Sequence, residues 1–384
     1  MFLFFLLLPF EYPLQKIGVG SILRYAGLLT MGLAAVDMLH HRIIRVDYRA
    51  IILVIWCVYA VFSGLWSVDK SNYSRYVSMY VNNTLMFIMI SLVPYKDRER
   101  EFIEKGFVGG VLLLLLYMTF IPGAVVSSSW QSRLTLAYKG KELLDQNYLA
   151  AIMLMPYGCQ LFDLIEKKQR RWIKILVCGF ILFYILRTGS RSGILGAGVI
   201  TLFCLLRGAQ KKERIVYVLV FCVLLVGPWI IQLLPSNLLD RFSLKAMTGN
   251  TSESSARLEI WTAAWNAIKN SNIFFGYGAG SSEYLMGLHY TRNAAIHNFY
   301  IAHVLELGLV GLALFGTVLI KMLGQMKLFG EEKLCIAFLG IVVEGFFLDM
   351  LTTKFFWGAM MMVTISISAG KCMRRETESL QPAL

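Results

Sequence analysis

Apolar runs close to the length that crosses a bilayer recur along this chain from one end to the other, and that recurrence fixes its solvent as lipid. A helix needs about 20 such residues to pass roughly 30 Å of hydrocarbon. The runs fall near 1–10, 21–40, 50–66, 75–94, 106–122, 147–165, 172–188, 192–206, 215–234, 298–320, 333–349 and 355–370. With 57% hydrophobic and 16% charged residues among 384, the chain carries more apolar surface than a soluble core of that size can bury. A backbone group in lipid has no water to bond, so the runs are expected to be helices.

The expected fold class is therefore all-α: a polytopic integral membrane protein of about 12 transmembrane helices, with a long outer loop between helices 9 and 10. Residues 1–234 would hold nine helices, 235–297 the loop, and 298–384 the last three helices and a tail. The first run is short. Its start, Met1-Phe2-Leu3-Phe4, lacks the basic residues and small-residue cleavage site of a signal peptide, so it is expected to be a retained, shortened helix.

Lysine and arginine collect in cytoplasmic loops, which provides a test of this parsing. Basic clusters occur at Arg42/Arg45/Arg49, Lys96/Arg98/Arg100, Lys167/Lys168/Arg170/Arg171, Lys211/Lys212/Arg214, Lys321/Lys327/Lys333 and Arg374/Arg375, at every second turn of the chain. Both termini are thus expected in the cytoplasm and the 235–297 loop outside. Orientation and anionic headgroups account for the net charge of +13 without a nucleic-acid partner. The seven cysteines lie in apolar runs, apart from Cys372 in the tail, and there is no C-x-x-C or H-E-x-x-H. Structural disulfides and a Cys/His zinc site are not expected.

The polar residues of the outer face remain to be explained. Arg133, Arg191, Arg241, Arg257 and Arg292 all fall there, against the orientation bias. Some could pair with Asp145, Asp240, Glu253, Glu259 or Glu283. Gly189-Ser190-Arg191-Ser192-Gly193 joins two apolar runs without a loop, which places a guanidinium at the membrane surface. Burying it in lipid costs at least about 2.5–3.5 kcal/mol, so a polar cavity or an anion should receive it. A diphosphate fits, because a planar guanidinium grips phosphate oxygens two at a time. The alternative is a tight turn with Arg191 snorkelling to headgroups.

Ser254-Ser255-Ala256-Arg257 opens a run with Leu258, Trp261, Trp265 and Ile268 at helical spacing, which predicts an N-capped amphipathic helix on the membrane surface. Arg257 would stand in its first turn, where a cation opposes the helix dipole and a bound anion would relieve it. The alternative is an ordinary interfacial helix in which Arg257 pairs with Glu253. His297-Asn298 opens the next run, and eleven residues of helix, about 1100°, would bring Gly308 onto nearly the same stripe as His297. Gly311 follows. Histidine is the usual general base near neutral pH, although a lone interfacial histidine can be only a polar tip among headgroups. His303 and Glu306 point away from that stripe and are expected to be buried partners of other groups.

These residues resemble the O-antigen ligase family. The pattern H-[NSQ]-x9-G-x-x-[GTY] is met by His297-Asn298, Gly308 and Gly311, R-x-x-x-L by Arg191 and Leu195, and D-x-N-x-x-A by Asp145, Asn147 and Ala150. The resemblance implies an inverting glycosyltransferase in the bacterial cytoplasmic membrane, active on its outer face. No metal or cofactor is expected, because diphosphate is already a good leaving group whose charge two arginines can offset, and the loop after the first span offers only Glu11 where a metal-using enzyme would show a carboxylate pair. Its partners would be an undecaprenyl-diphosphate-linked glycan, a lipid-core or glycan acceptor, and membrane lipids. Carried over, Arg191 and Arg257 would hold the diphosphate and His297 would deprotonate the acceptor hydroxyl, with Arg133, Asn147, Asn298, Gly308 and Gly311 in support. A ligase and a polymerase share this donor chemistry, and the sequence does not separate them. A lipid-linked sugar flippase is the alternative from another class, but it should show two related halves and charges deep in the bilayer.

Overall fold

The structure, a computed structural model, describes residues 1–15, 22–41, 47–127, 133–138, 141–166, 170–208, 252–290 and 294–380. The run expected at 215–234, together with Arg241 and Arg292, lies outside the described residues. In order, the first helices are α1 Phe2–Leu7, α2 Glu11–Gln15, α3 Ile22–His41, α4 Tyr48–Phe62, α5 Lys70–Leu92 and α6 Asp97–Phe120. After a small sheet come α7 Gln146–Glu166, α8 Arg171–Arg187, α9 Arg191–Gly208, α10 Ser252–Lys269, α11 Ser282–His289, α12 Phe299–Leu328, α13 Glu332–Glu344 and α14 Lys354–Leu380. Among the described residues, six helices are long and apolar enough to cross a membrane: Ile22–His40, Tyr48–Leu65, Asp97–Phe120, Gln146–Glu166, Phe299–Leu328 and Lys354–Arg374.

Other expected spans fall short for identifiable reasons. The first is divided by a turn at Leu8–Phe10, where Pro9 lacks the backbone donor a continuous helix needs. α5 has 23 residues but carries Arg75, Asn82 and Asn83 among its apolar ones. α8 has 17 residues and α13 only 13.

The all-α expectation needs one correction. Between α6 and α7 lies a three-stranded antiparallel sheet of β1 Val125–Ser127, β2 Leu134–Tyr138 and β3 Lys141–Glu142, with Val126 opposite Thr135 and Ala137 opposite Glu142. The paired residues include valine, threonine, leucine and tyrosine, side chains that suit a pleated and partly covered surface. β2 is almost wholly buried, and Thr135 donates its hydroxyl to the Leu144 carbonyl just ahead of α7.

α7 lies at the centre of the bundle, buried along most of its length, with α8, α9 and α13 around it. Small residues permit that packing. A Cβ on Gly158 would come within 2.9 Å of the Ala337 Cα, and one on Gly340 within 3.2 Å of the Gly196 carbonyl. Packing in lipid has little hydrophobic drive between helices, so such close backbone approach replaces it.

The two ends of the bundle differ. At one end, where α6 and α13 begin and α7 finishes, ions are paired: buried Lys333 Nζ lies 2.6 Å from buried Glu104 and 3.7 Å from Asp163, and partly buried Arg100 lies 2.6 Å from both Glu331 and partly exposed Asp97. The opposite end gathers the sheet, the α8–α9 turn, α10 and the start of α12, together with Arg133, Arg191, Arg257 and His297.

Candidate active site

The α8–α9 connection is as tight as the sequence predicts. Thr188 closes α8, Gly189 turns the backbone at φ +61°, and α9 opens at Arg191. Only glycine enters that region without a Cβ penalty. Ser190 donates its hydroxyl to Asn147 Oδ1 at 2.8 Å and lies 3.1 Å from the Ser192 hydroxyl. Ser192 donates to Glu344 Oε1 at 2.6 Å. From the other side, Arg133 donates through Nε to the Thr188 carbonyl at 3.1 Å and through a terminal nitrogen to Asn147 Oδ1 at 3.0 Å. Asp145 accepts from the Asn147 backbone at 2.8 Å and so starts α7. A continuous polar chain therefore runs from β2 through α7 to α13 beneath half-buried Arg191. Arg133 is thereby part of the support of the turn.

His297 precedes α12. Asn298 is the N-cap, its side chain accepting from Tyr300 and Ile301 at 3.0 and 2.9 Å. His297 stands at φ +49°, a conformation that costs a residue with a Cβ about 1–2 kcal/mol. Its neighbours hold it there. The Ile296 carbonyl accepts from Trp261 Nε1 at 2.9 Å, and the Phe299 backbone donates to the Gly345 carbonyl at 2.8 Å. Burial pushes the imidazole below its ordinary pKa; Asp145 works against that shift and Arg257 adds to it. Among the described residues Nδ1 of His297 is buried without a hydrogen-bond partner.

Arg257 is half-buried on α10. The helix begins at Ser252, ahead of the expected cap, so Arg257 lies in its second turn and the expected tension with the helix dipole is absent. The buried face of α10 also differs from the expected stripe. Ile260, Ala264, Ala267 and Ile268 pack against Leu285 and Met286 of α11 and Ala302 and Leu305 of α12, whereas Leu258 and Trp265 are 62% and 48% exposed. Alanines did not register as an apolar stripe, yet they form the close contact.

The shared stripe of His297 and Gly308 is not present. His297 lies outside α12, and Gly308 interrupts that helix at φ +66°, ψ −171°. Both glycines are needed for another reason. A Cβ on Gly308 would stand 2.2 Å from the Phe274 carbonyl oxygen, and one on Gly311 would stand 2.4 Å from the Leu307 Cβ. The break admits the segment after α10, which bonds to it through Leu309 to Ile273 at 2.9 Å and Gly278 to Glu306 at 2.8 Å. His303 and Glu306 are buried partners, as expected. His303 accepts from Trp56 Nε1 at 3.0 Å, and Glu306 accepts from the Gly280 backbone at 3.0 Å and the Ser282 hydroxyl at 2.5 Å.

Sequence reasoning missed Glu344. It is fully buried, and the charges facing it are Arg257 and Asp145, the pair that also faces His297. The signal was available, because an acid in an apolar run marks a functional position by default.

Fold and site together define a polytopic membrane protein whose arginines, histidine and buried acid are gathered at one end of its helices. Residues 161–316 match the family described as O-antigen ligase, and that match supports a membrane glycan transferase of the ligase and polymerase type. The matched stretch includes Arg191, Arg257, His297, Gly308 and Gly311, and leaves Arg133, Asn147 and Glu344 outside it. No curated protein matches the chain.

Proposed function

We propose that this protein transfers a glycan from an undecaprenyl-diphosphate donor to an acceptor hydroxyl on the outer face of the bacterial cytoplasmic membrane, with both termini in the cytoplasm. Arg191 and Arg257 hold the diphosphate. The acceptor oxygen attacks the anomeric carbon, His297 takes the hydroxyl proton, and the glycosidic bond to the diphosphate breaks with its electron pair leaving on the lipid diphosphate. Attack from the side opposite the leaving group inverts the anomeric centre. The observation that best supports this reading is the setting of His297: it is held at φ +49° ahead of α12 with its Nδ1 buried and without a hydrogen-bond partner among the described residues. Burial lowers its pKa so that the imidazole is neutral and able to accept a proton, with Arg257 the cation facing it. Two guanidinium groups can offset the charge that develops on the leaving diphosphate, so the chemistry needs no metal.

The test is reconstitution of the purified protein with a lipid-diphosphate glycan, excess chelator, and each acceptor class in turn. Transfer to a lipid core marks a ligase, and transfer to a second lipid-linked repeat marks a polymerase. Failure with every acceptor, with or without added magnesium or manganese, would refute the proposal.

A further inference from the structure

The last turn of α13 bonds to both the Arg191 turn and the first turn of α12, and an acid stands at its end. We propose that Glu344 is a positioning residue for the transfer reaction, tying the turn that carries Arg191 to the turn that follows His297. The proposal rests on the glycan-transferase reading for its effect on turnover.

Glu344 has no exposed surface, and Gly340-Ile341-Val342-Val343 ahead of it are apolar or backbone only. Placing an acid at the end of such a run is costly, so packing alone does not account for it. Its Oε1 accepts from Ser192 at 2.6 Å. That bond ends the chain that begins at Arg133 and passes through Asn147 and Ser190. Its backbone neighbours reach the other way: the Gly345 carbonyl accepts from the Phe299 backbone, and the Val342 carbonyl from the Tyr300 hydroxyl, each at 2.8 Å. Phe299 is two residues after His297. A shift of this helix end by one bond would move the cation and the base relative to each other, and misplacement of about 1 Å can cost 10²-fold in rate.

The Ser192 bond needs an oxygen acceptor at that place, which an amide also supplies. Glu344→Gln therefore separates positioning from charge, whereas Glu344→Ala removes both. Ser192→Ala removes the same bond from the other side.

The experiment measures two quantities on the full-length protein and on E344A, E344Q, S192A and the S192A/E344A double variant. The first is hydrogen exchange in peptides covering 188–194 and 296–300, which requires no turnover. The second is kcat and KM for the lipid-diphosphate donor. E344A is expected to speed exchange in both peptides about tenfold, the loss of one hydrogen bond, and to lower kcat about 10- to 100-fold with donor KM changed little. E344Q should restore protection and most of the turnover. The double variant should be no worse than E344A, because both changes break one link. Unchanged exchange at 296–300 in E344A, an E344Q as impaired as E344A, or additive losses in the double variant would each overturn the assignment. Should E344A fail to fold, S192A and E344Q decide it. A wild-type protein without transfer activity would sink the functional reading, while the exchange data would still judge Glu344.

Discussion

Replacing Gly308 by alanine should displace the segment after α10 without touching any residue of the proposed chemistry. The added Cβ would lie 2.2 Å from the Phe274 carbonyl oxygen, 2.3 Å from its carbon and 2.5 Å from the Phe275 nitrogen, all of them backbone atoms that no rotamer can move aside. At φ +66° and ψ −171° the residue occupies a region almost reserved for glycine, which costs about 1–3 kcal/mol for any other. Relief requires the 273–275 segment to retreat, breaking the bonds from Leu309 to Ile273 at 2.9 Å and from Val310 to Phe274 at 3.2 Å, about 1 kcal/mol each. The sum is about 3–5 kcal/mol. Trp66, whose ring lies 6.2 Å from Phe275, reports the movement. Gly316 on the same helix is the control, since a Cβ there meets nothing within 4 Å and should stabilise the helix by about 0.5–1 kcal/mol. Thermal unfolding in detergent followed by tryptophan fluorescence should show a large drop in midpoint for G308A and none for G316A. Equal midpoints and unchanged emission would refute the account of the break.

Three further outcomes follow from the same geometry. Because burial and Arg257 depress the His297 pKa, the acid limb of kcat/KM against pH should lie below 6.5; Arg257→Ala should move it up and Asp145→Asn down. A limb unmoved by either change would exclude His297 as the base. Lys333→Met should cost about 3–5 kcal/mol of stability by stranding buried Glu104, and K333M/E104Q should recover much of it in the same unfolding assay. Arg191→Lys should weaken donor binding at least tenfold in a filter or thermal-shift assay, because an ammonium cannot reproduce a two-pronged grip. Normal binding by that variant would mean that Arg191 only snorkels.

What the sequence disclosed and what it concealed divide along physical lines. Long apolar runs declare themselves by length, so α3, α4 and α7 fall close to where they were expected, whereas α6 starts nine residues earlier and α12 ends eight residues later. The tight α8–α9 turn was legible because glycine and serine flank an arginine with no room for a loop. The sheet was not, because β1 and β3 have 3 and 2 residues, too few to show a period of two. Gly308 was read as a small residue on a helix face, since spacing along the chain cannot reveal that a backbone leaves the helix there. The partners of Arg133 were equally hidden: Thr188 lies 55 residues away, and only the fold brings the two together. Glu344 shows the reverse case, a signal present in the sequence but weighed too lightly beside the outer loop.

The central claim is a division of labour, with arginines that bind diphosphate and a histidine that moves a proton. It is tested most directly by measuring donor affinity and single-turnover transfer side by side for R257A and H297A in proteoliposomes, with H303A as the control for a structural histidine. R257A should lose donor affinity, whereas H297A should bind the donor almost normally and transfer about 10²–10⁴-fold more slowly. An H297A protein that is folded, binds donor and turns over at the wild-type rate would contradict the account, as would an R257A protein with undiminished affinity.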